Sequence, residues 1–397
     1  MAAYTRKGLA GTVALALFLV GGCAYSLKCT RSAYTVADPA AATLRVVYLG
    51  TGGLIIARGS DVVLTAPLYS NPTAGELAIQ DFVSDHERID AYLARYQDEI
   101  RRASLILSGH SHYDHLMDVP HVMKQWVTGA NVRVYGNNAM LAVLAALEPL
   151  SLRSRLVSLE SDVGQKVDVP NTHIRLWPIA SEHSPQIPLP KILGVTVFPP
   201  VHLWRGEAER ALPALPTRAG QWSQGRVLAY VIDFLDPSGK VDYRVYYQDS
   251  PTRPGYGFPD MSALGDHRVD LAILCVGGTE AHEEFKSHPR PIIEHLKPVH
   301  VLGVHWEDFL NPRRLLLPSE IGVKASPSPS PEEFRRVPSA DPDSWLDRAM
   351  AASTRALDVV LPCPDTWSDL SPTVGGQPGV WSSPLWQSDR GCSEVRR

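Results

Sequence analysis

Ser108-Gly-His110-Ser-His112-Tyr-Asp114-His115 carries three histidines and one aspartate within six residues. It follows residues 103–108, a short apolar run whose pattern predicts a buried strand. In an extended loop His110 and His112 project to the same side. Asp114 and His115 can then turn toward a second point a few ångströms away. Imidazole and carboxylate are the donor set for zinc and related divalent ions. One ion would take His110, His112 and one further donor. A second would take Asp114 and His115. Two ions roughly 3.5–4 Å apart can share a hydroxide and clamp the attacking and leaving oxygens of a displacement. Tyr113, between two such donors, is expected to pack rather than to react.

Outward from this loop the chain alternates strand blocks with helices. Residues 44–49, 54–57 and 61–65 are β-rich, and Gly50-Thr-Gly-Gly53 and Arg58-Gly-Ser60 separate them as tight turns. The first of these turns imitates a dinucleotide fingerprint, but it lacks the sixth-position glycine and leads into a strand instead of a helix. Helices are predicted over 88–102, 119–127 and 138–147, with strands at 132–135, 156–159 and 173–180. A hairpin over 227–234 and 243–247 follows. Then come a strand at 271–276, a helix near 292–296, a strand at 299–304, a helix at 345–357 and a strand at 359–361. Two blocks, each opening on several strands, predict an α/β chain with two sheets face to face and helices outside. Residues 184–226 hold seven prolines with Trp204 and Trp222, and read as an insertion or lid over the substrate.

The His110–His115 motif resembles the defining H-x-H-x-D-H signature of the metallo-β-lactamase fold hydrolases. The resemblance spans roughly 44–362 and implies an αββα four-layer sandwich with two metal ions, zinc first among them, at one edge. It also implies further ligands. Asp249, in Gln248-Asp-Ser250, stands where the family has an aspartate bridging both metals, and His305 where it has its last histidine. The third histidine is His183 or His202. His183 is favoured, because it closes a predicted strand and a metal donor must be held on a rigid element. His202, after Pro199-Pro200, is expected with Trp204 and Trp306 to contact substrate. Asp114 and Asp249 are the expected catalytic carboxylates. His112-Tyr-Asp-His-Leu116, Pro67-Leu-Tyr-Ser-Asn-Pro72 and His305-Trp306 resemble a branch that includes a sugar-lactone hydrolase and the N-acyl phosphatidylethanolamine phospholipase D. Thr65-Ala66-Pro67 departs from it, since that branch has aspartate at the middle position. The expected reaction is hydrolysis, on a phosphodiester or phospholipid-like substrate first and on a lactone, amide, ester or β-lactam as the alternative. A metal-binding envelope lipoprotein without catalysis is the rival.

The amino-terminal residues have a different character. Arg6-Lys7 precede an apolar run of about 15 residues, too short to span a bilayer and of the right length for a secretory signal. It ends in Val20-Gly-Gly-Cys23, which resembles a bacterial lipobox. Residues 1–22 are thus expected to be a signal peptide and 23–43 a tether lipidated at Cys23. The location expected is the bacterial cell envelope, with the membrane as partner through the lipid; Ala24 suits outer-membrane sorting. The chain has 397 residues and formal charge −4, ordinary globular composition without the basic excess of a nucleic-acid binder. Cys275 lies in an apolar run and is expected as a buried thiol. Cys363 and Cys392 flank the tail at 363–397, expected to be irregular, and could close it with a disulfide, with Cys29 as competitor. Labelled fatty acid should enter the wild-type chain in bacterial cells and be absent from Cys23→Ser. Equal labelling of both would refute lipid attachment.

Overall fold

The computed structural model describes residues 26–30, 43–66, 68–70, 72, 76, 81–184, 191–192, 195–196, 210–276, 283–285, 287–305, 320–324, 358–360, 366–370, 381–382 and 393–394. Two sheets dominate. The first has eight strands in the spatial order Trp381–Ser382, Thr366–Leu370, Leu44–Gly50, Gly53–Arg58, Asp61–Thr65, Leu105–Leu107, Arg133–Gly136 and Leu156–Ser158. Its meander over 44–65 is antiparallel, and the strands beyond Asp61–Thr65 join in parallel. The second sheet has seven strands: Asp358–Val360, His300–Val304, Leu271–Cys275, Val241–Gln248, Val227–Leu235, Ile174–Ser181 and Val167–Asp168. It repeats the plan, antiparallel through Val241–Gln248 and then parallel.

Period-two alternation decides how these sheets stack. Leu44, Val46 and Tyr48 face the second sheet, joining Leu228, Tyr230, Val245 and Tyr247 in one buried cluster. Val47 and Leu49 point the other way, to Ile89, Tyr92, Val122 and Met140 on the helices. Helix Arg290–Leu296 covers the second sheet with Ile292, Ile293 and Leu296. The order is helix, sheet, sheet, helix, the αββα sandwich expected of the chain. The helix expected over 88–102 is broken. His86–Leu93 is α-helical with Asp85 capping the Arg88 amide, Ala94–Tyr96 tightens to 3₁₀, and Gln97–Arg101 resumes. Its apolar face survives the break, since Ile89, Leu93, Tyr96 and Ile100 are all buried.

One expectation is corrected. The tail is not uniformly irregular: Thr366–Leu370 pairs antiparallel with Leu44–Gly50, and Trp381–Ser382 pairs with it in turn. Without it Leu44–Gly50 would be an open edge of unpaired amides and carbonyls. Within the expected tether, Ser26–Thr30 pairs with Glu320–Lys324 and Ser393–Glu394. Within the insertion, residues 210–226 are mixed: Ala219, Trp222 and Ser223 are buried, while Leu215 and several neighbours are exposed. Trp222 is 1% exposed and sits with Ala219 in the cluster beneath the helices, where its indole gains more from burial than from solvent. The helix expected at 345–357 and cysteines 23, 363 and 392 lie outside the described residues. Cys275 is a buried cysteine, as expected.

One charged pair lies deep in the second sheet. Arg244 and Asp233 face each other across neighbouring strands, Nε to Oδ1 at 2.6 Å and Nη2 to Oδ2 at 3.0 Å. Trp177 Nε1 also donates to Oδ2 at 3.0 Å. Both charged side chains are 1% exposed. Removing one partner strands the other charge away from water. Asp233→Ala should therefore cost about 3–5 kcal/mol in denaturant unfolding. The double change Asp233→Leu with Arg244→Met should cost clearly less than that single change.

Candidate metal centre

Four strand ends converge at one edge of the sandwich. Leu105–Leu107 runs straight into Ser108-Gly-His110. Ile174–Ser181 leads to His183, Val241–Gln248 to Asp249, and His300–Val304 to His305. Carboxyl ends of strands are where open α/β sheets gather ligands, because the chain there leaves the ladder with free polar groups. Donor atoms of His110, His112 and His183 lie within 4.8 Å of one another. The same holds for His110, His115 and Asp249, and for Asp114, His115 and His305. Among the described residues, all seven favoured by the motif and the resemblance come together, His183 among them. His202, Trp204 and Trp306 lie outside the described residues.

The centre is built to leave donors unspent. Asp249 Oδ2 accepts the Gly109 amide at 2.8 Å and Oδ1 lies 3.1 Å from His110 Nδ1. Asp114 Oδ2 is 3.5 Å from both His115 Nε2 and His305 Nε2. His183 Nδ1 donates to the Ser184 carbonyl at 2.6 Å, which fixes the tautomer and frees Nε2 toward His110 and His112. His110 Nε2, His112 Nε2 and Asp114 Oδ1 are buried and meet no hydrogen-bond partner among the described residues. Each such atom costs about 1–3 kcal/mol if nothing binds it. Divalent cations at the two overlapping triads would satisfy them, so the donor set fits metal.

Burial holds the His110 and His112 imidazoles well below their ordinary value, and the neighbouring histidines push the same way. Burial likewise lowers His183, and lowers His115 to about 3. Neutral imidazole is the form that binds metal. Burial pushes Asp249 up, only partly offset by His115 and the Gly109 amide. Burial also pushes Asp114 upward, but His115, His305 and His112 outweigh it and hold that carboxyl well below its usual range. Tyr113 packs edge-on to Phe82 at 5.6 Å, as expected of a packing residue.

Several supporting residues escaped sequence reasoning. A Cβ on Gly109 would lie 2.6 Å from Asp249 Cγ, and one on Gly52 would lie 2.9 Å from His115 Nδ1. Both glycines are there for close approach. Gly52 belongs to the tight turn read after residue 49, so its second duty was hidden by its first. Asp118 is buried and accepts from Tyr69 N, Ser70 N and Ser70 Oγ at 2.6–2.8 Å, pinning the loop after Thr65. His305 has φ 57° and its amide donates to Tyr48 Oη at 2.9 Å. A left-handed histidine is strained, and that bond helps hold it.

No protein-family model matches the chain, and no curated protein matches it. Among solved structures it is similar to Igni18, a novel metallo hydrolase from the hyperthermophilic archaeon Ignicoccus hospitalis KIN4/I. The identity is 13% over 86% of this chain and 98% of that one, with TM-score 0.44. It is similar to the metallo-β-lactamase fold protein YhfI from Bacillus subtilis at 12% identity, over 86% of this chain and 99% of that one, TM-score 0.43. It is similar to an isothiocyanate hydrolase from Delia radicum gut bacteria at 11% identity, over 81% and 98%, TM-score 0.42. The reading of the site rests on its own geometry.

His288 stands outside the cluster but supports it. Its Nε2 donates to the Cys275 carbonyl at 2.9 Å and its Nδ1 takes the Thr252 amide at 3.4 Å, tying the loop after Asp249 to a strand end. Burial lowers this imidazole to about 4 from an ordinary 6.5. Between those values the unfolded chain binds a proton that the folded chain refuses, so stability falls as pH falls. Chelator-treated protein should lose denaturant resistance as pH drops from 6.5 toward 4, with a shallower loss in His288→Gln. NMR should show the His288 ring neutral down to about pH 4.

Proposed function

We propose that the chain is a metal-dependent hydrolase that holds two divalent cations, zinc the first expectation. His110, His112 and His183 would hold one ion, Asp114, His115 and His305 the other, and Asp249 would reach both. The observation that carries this is the set of buried donor atoms with no hydrogen-bond partner among the described residues, distributed over two overlapping triads. Bound ions would supply Lewis acidity and a water acidic enough to attack near neutral pH. The protein does the rest. Asp114 keeps Oδ2 toward His115 and His305, on the side of the ion those histidines would hold, while Asp249, whose carboxyl burial pushes up, could accept or relay a proton. Asp249 is fixed by the Gly109 amide and cannot swing away. The hydrocarbon of the two sheets walls off the inner side of the site and excludes bulk water there.

The substrate we favour is a phosphodiester or phospholipid-like molecule. Support comes from the resemblance of His112-Tyr-Asp-His-Leu116 to the branch that includes a phospholipase D, and from the lipid anchor expected at Cys23, which would keep the site beside a membrane. A lactone, amide or ester is the alternative. Purified wild-type protein supplied with zinc should carry close to two metal ions per chain by elemental analysis. His183→Ala should lose the ion held by His110 and His112, and Asp114→Ala mainly the other. Hydrolysis of chromogenic phosphodiester, lactone or β-lactam probes should stop with chelator and return with metal. Metal content near zero, with no uptake on addition, would sink the proposal. Full metal content with no hydrolysis of any probe would favour the non-catalytic envelope protein.

A further inference from the structure

Asn137 is fully buried just before helix Asn138–Val143, and its amide is used to capacity. Oδ1 accepts the Met140 amide at 2.9 Å, the ordinary bond of a helix cap. Oδ1 also accepts Ser111 Oγ at 2.6 Å, from the residue between His110 and His112. Nδ2 donates to the carbonyls of Gln224 and Arg226, both at 2.8 Å. The orientation is unambiguous, because those carbonyls can only accept and the Met140 amide can only donate. The Gln224 carbonyl in turn takes the Ser111 amide at 3.1 Å, and Leu228 N donates to the Gly109 carbonyl at 2.8 Å. Gly225, between the two carbonyls, has φ 62°, and a Cβ there would lie 2.6 Å from Asn137 Nδ2 and 2.5 Å from Ala139 Cβ. Only glycine lets this segment close on the asparagine.

A helix cap needs one of these four bonds. The other three tie the described end of the 184–226 segment to the loop bearing His110 and His112. We propose that Asn137 is a positioning residue that locks residues 224–226 to that loop, so that the spacing of His110 and His112 depends on where this segment sits. The inference rests on the metal-site reading only for its consequence at the metal. The lock itself is a property of the metal-free chain.

Asn137→Asp separates the lock from the cap. The carboxylate keeps both acceptor roles and loses both donors, facing two carbonyls it must repel. Hydrogen exchange in the metal-free protein should quicken at least about tenfold in peptides covering 108–116 and 222–228, because amides exchange at the rate their segment opens. Titration with Co²⁺ alone should show about tenfold weaker binding and an altered visible spectrum, the usual scale for loss of a residue behind a metal donor. Gly225→Ala attacks the same lock from the other strand and should reproduce both effects; it carries the test if Asn137→Asp does not fold. Wild-type exchange in either peptide overturns the proposal, and so does unchanged Co²⁺ affinity in a variant whose exchange has risen. A wild-type protein that takes up no Co²⁺ refutes the metal reading instead, and leaves the exchange test standing.

Discussion

The centre depends on two loops of one sheet being held against the strand ends of the other. Two buried tyrosines do this directly. Tyr230 Oη donates to the Ser108 carbonyl at 2.8 Å and Tyr247 Oη to the Gly52 carbonyl at 2.9 Å, both from the second sheet to loops of the first. Their rings are fully buried in the cluster between the sheets, so the hydrogen bonds are made where water cannot compete. Thr65 Oγ1 adds a second donor to the Gly52 carbonyl at 2.6 Å. Hydrophobic packing alone would hold the sheets together without setting their slide. These directional bonds set it, and with it the distance between Asp249 on one sheet and His110 on the other.

Much of the fold was legible because it is local. The alternation in residues 44–65 marks three strands with turns between them, and the structure has the strands where the pattern puts them. The His110–His115 motif was legible for the same reason, since four donors fall within six residues, the last two on the short helix Tyr113–Leu116. The remaining donors are different. His183, Asp249 and His305 lie in separate stretches, and nothing in their immediate neighbours distinguishes them from a turn carboxylate or a core histidine. Only order along the chain and the resemblance brought them forward. The rigid-element argument favours His183 over His202, and among the described residues His183 lies beside His110 and His112.

What stayed hidden depends on contacts distant in sequence. Asn137 reads locally as a cap, and its bonds to 224 and 226 span 87 and 89 residues. Gly109 reads as a flexible link, yet its lack of a side chain matters to an aspartate 140 residues away. The strand Thr366–Leu370 was missed because Ser, Pro and Gly around it suggest a loop, while the reason it is extended is an open edge more than 300 positions earlier. Composition reports what a segment prefers alone. It carries no information about a partner strand waiting at the far end of the chain.

That last pairing has a consequence for how the molecule is made. Leu44–Gly50 is synthesised first among the strands of its sheet, and its outer neighbour Thr366–Leu370 comes nearly last. During synthesis at roughly 5–20 residues per second, the sheet bearing the His-rich loop therefore stands with one flank bare for some tens of seconds. Its hairpin with Gly53–Arg58 can form early, since short closures are fast. The bare flank is an apolar strand, the kind of edge on which chains aggregate before they are complete. That flank stays an open edge until residues 366–370 arrive and pair with it.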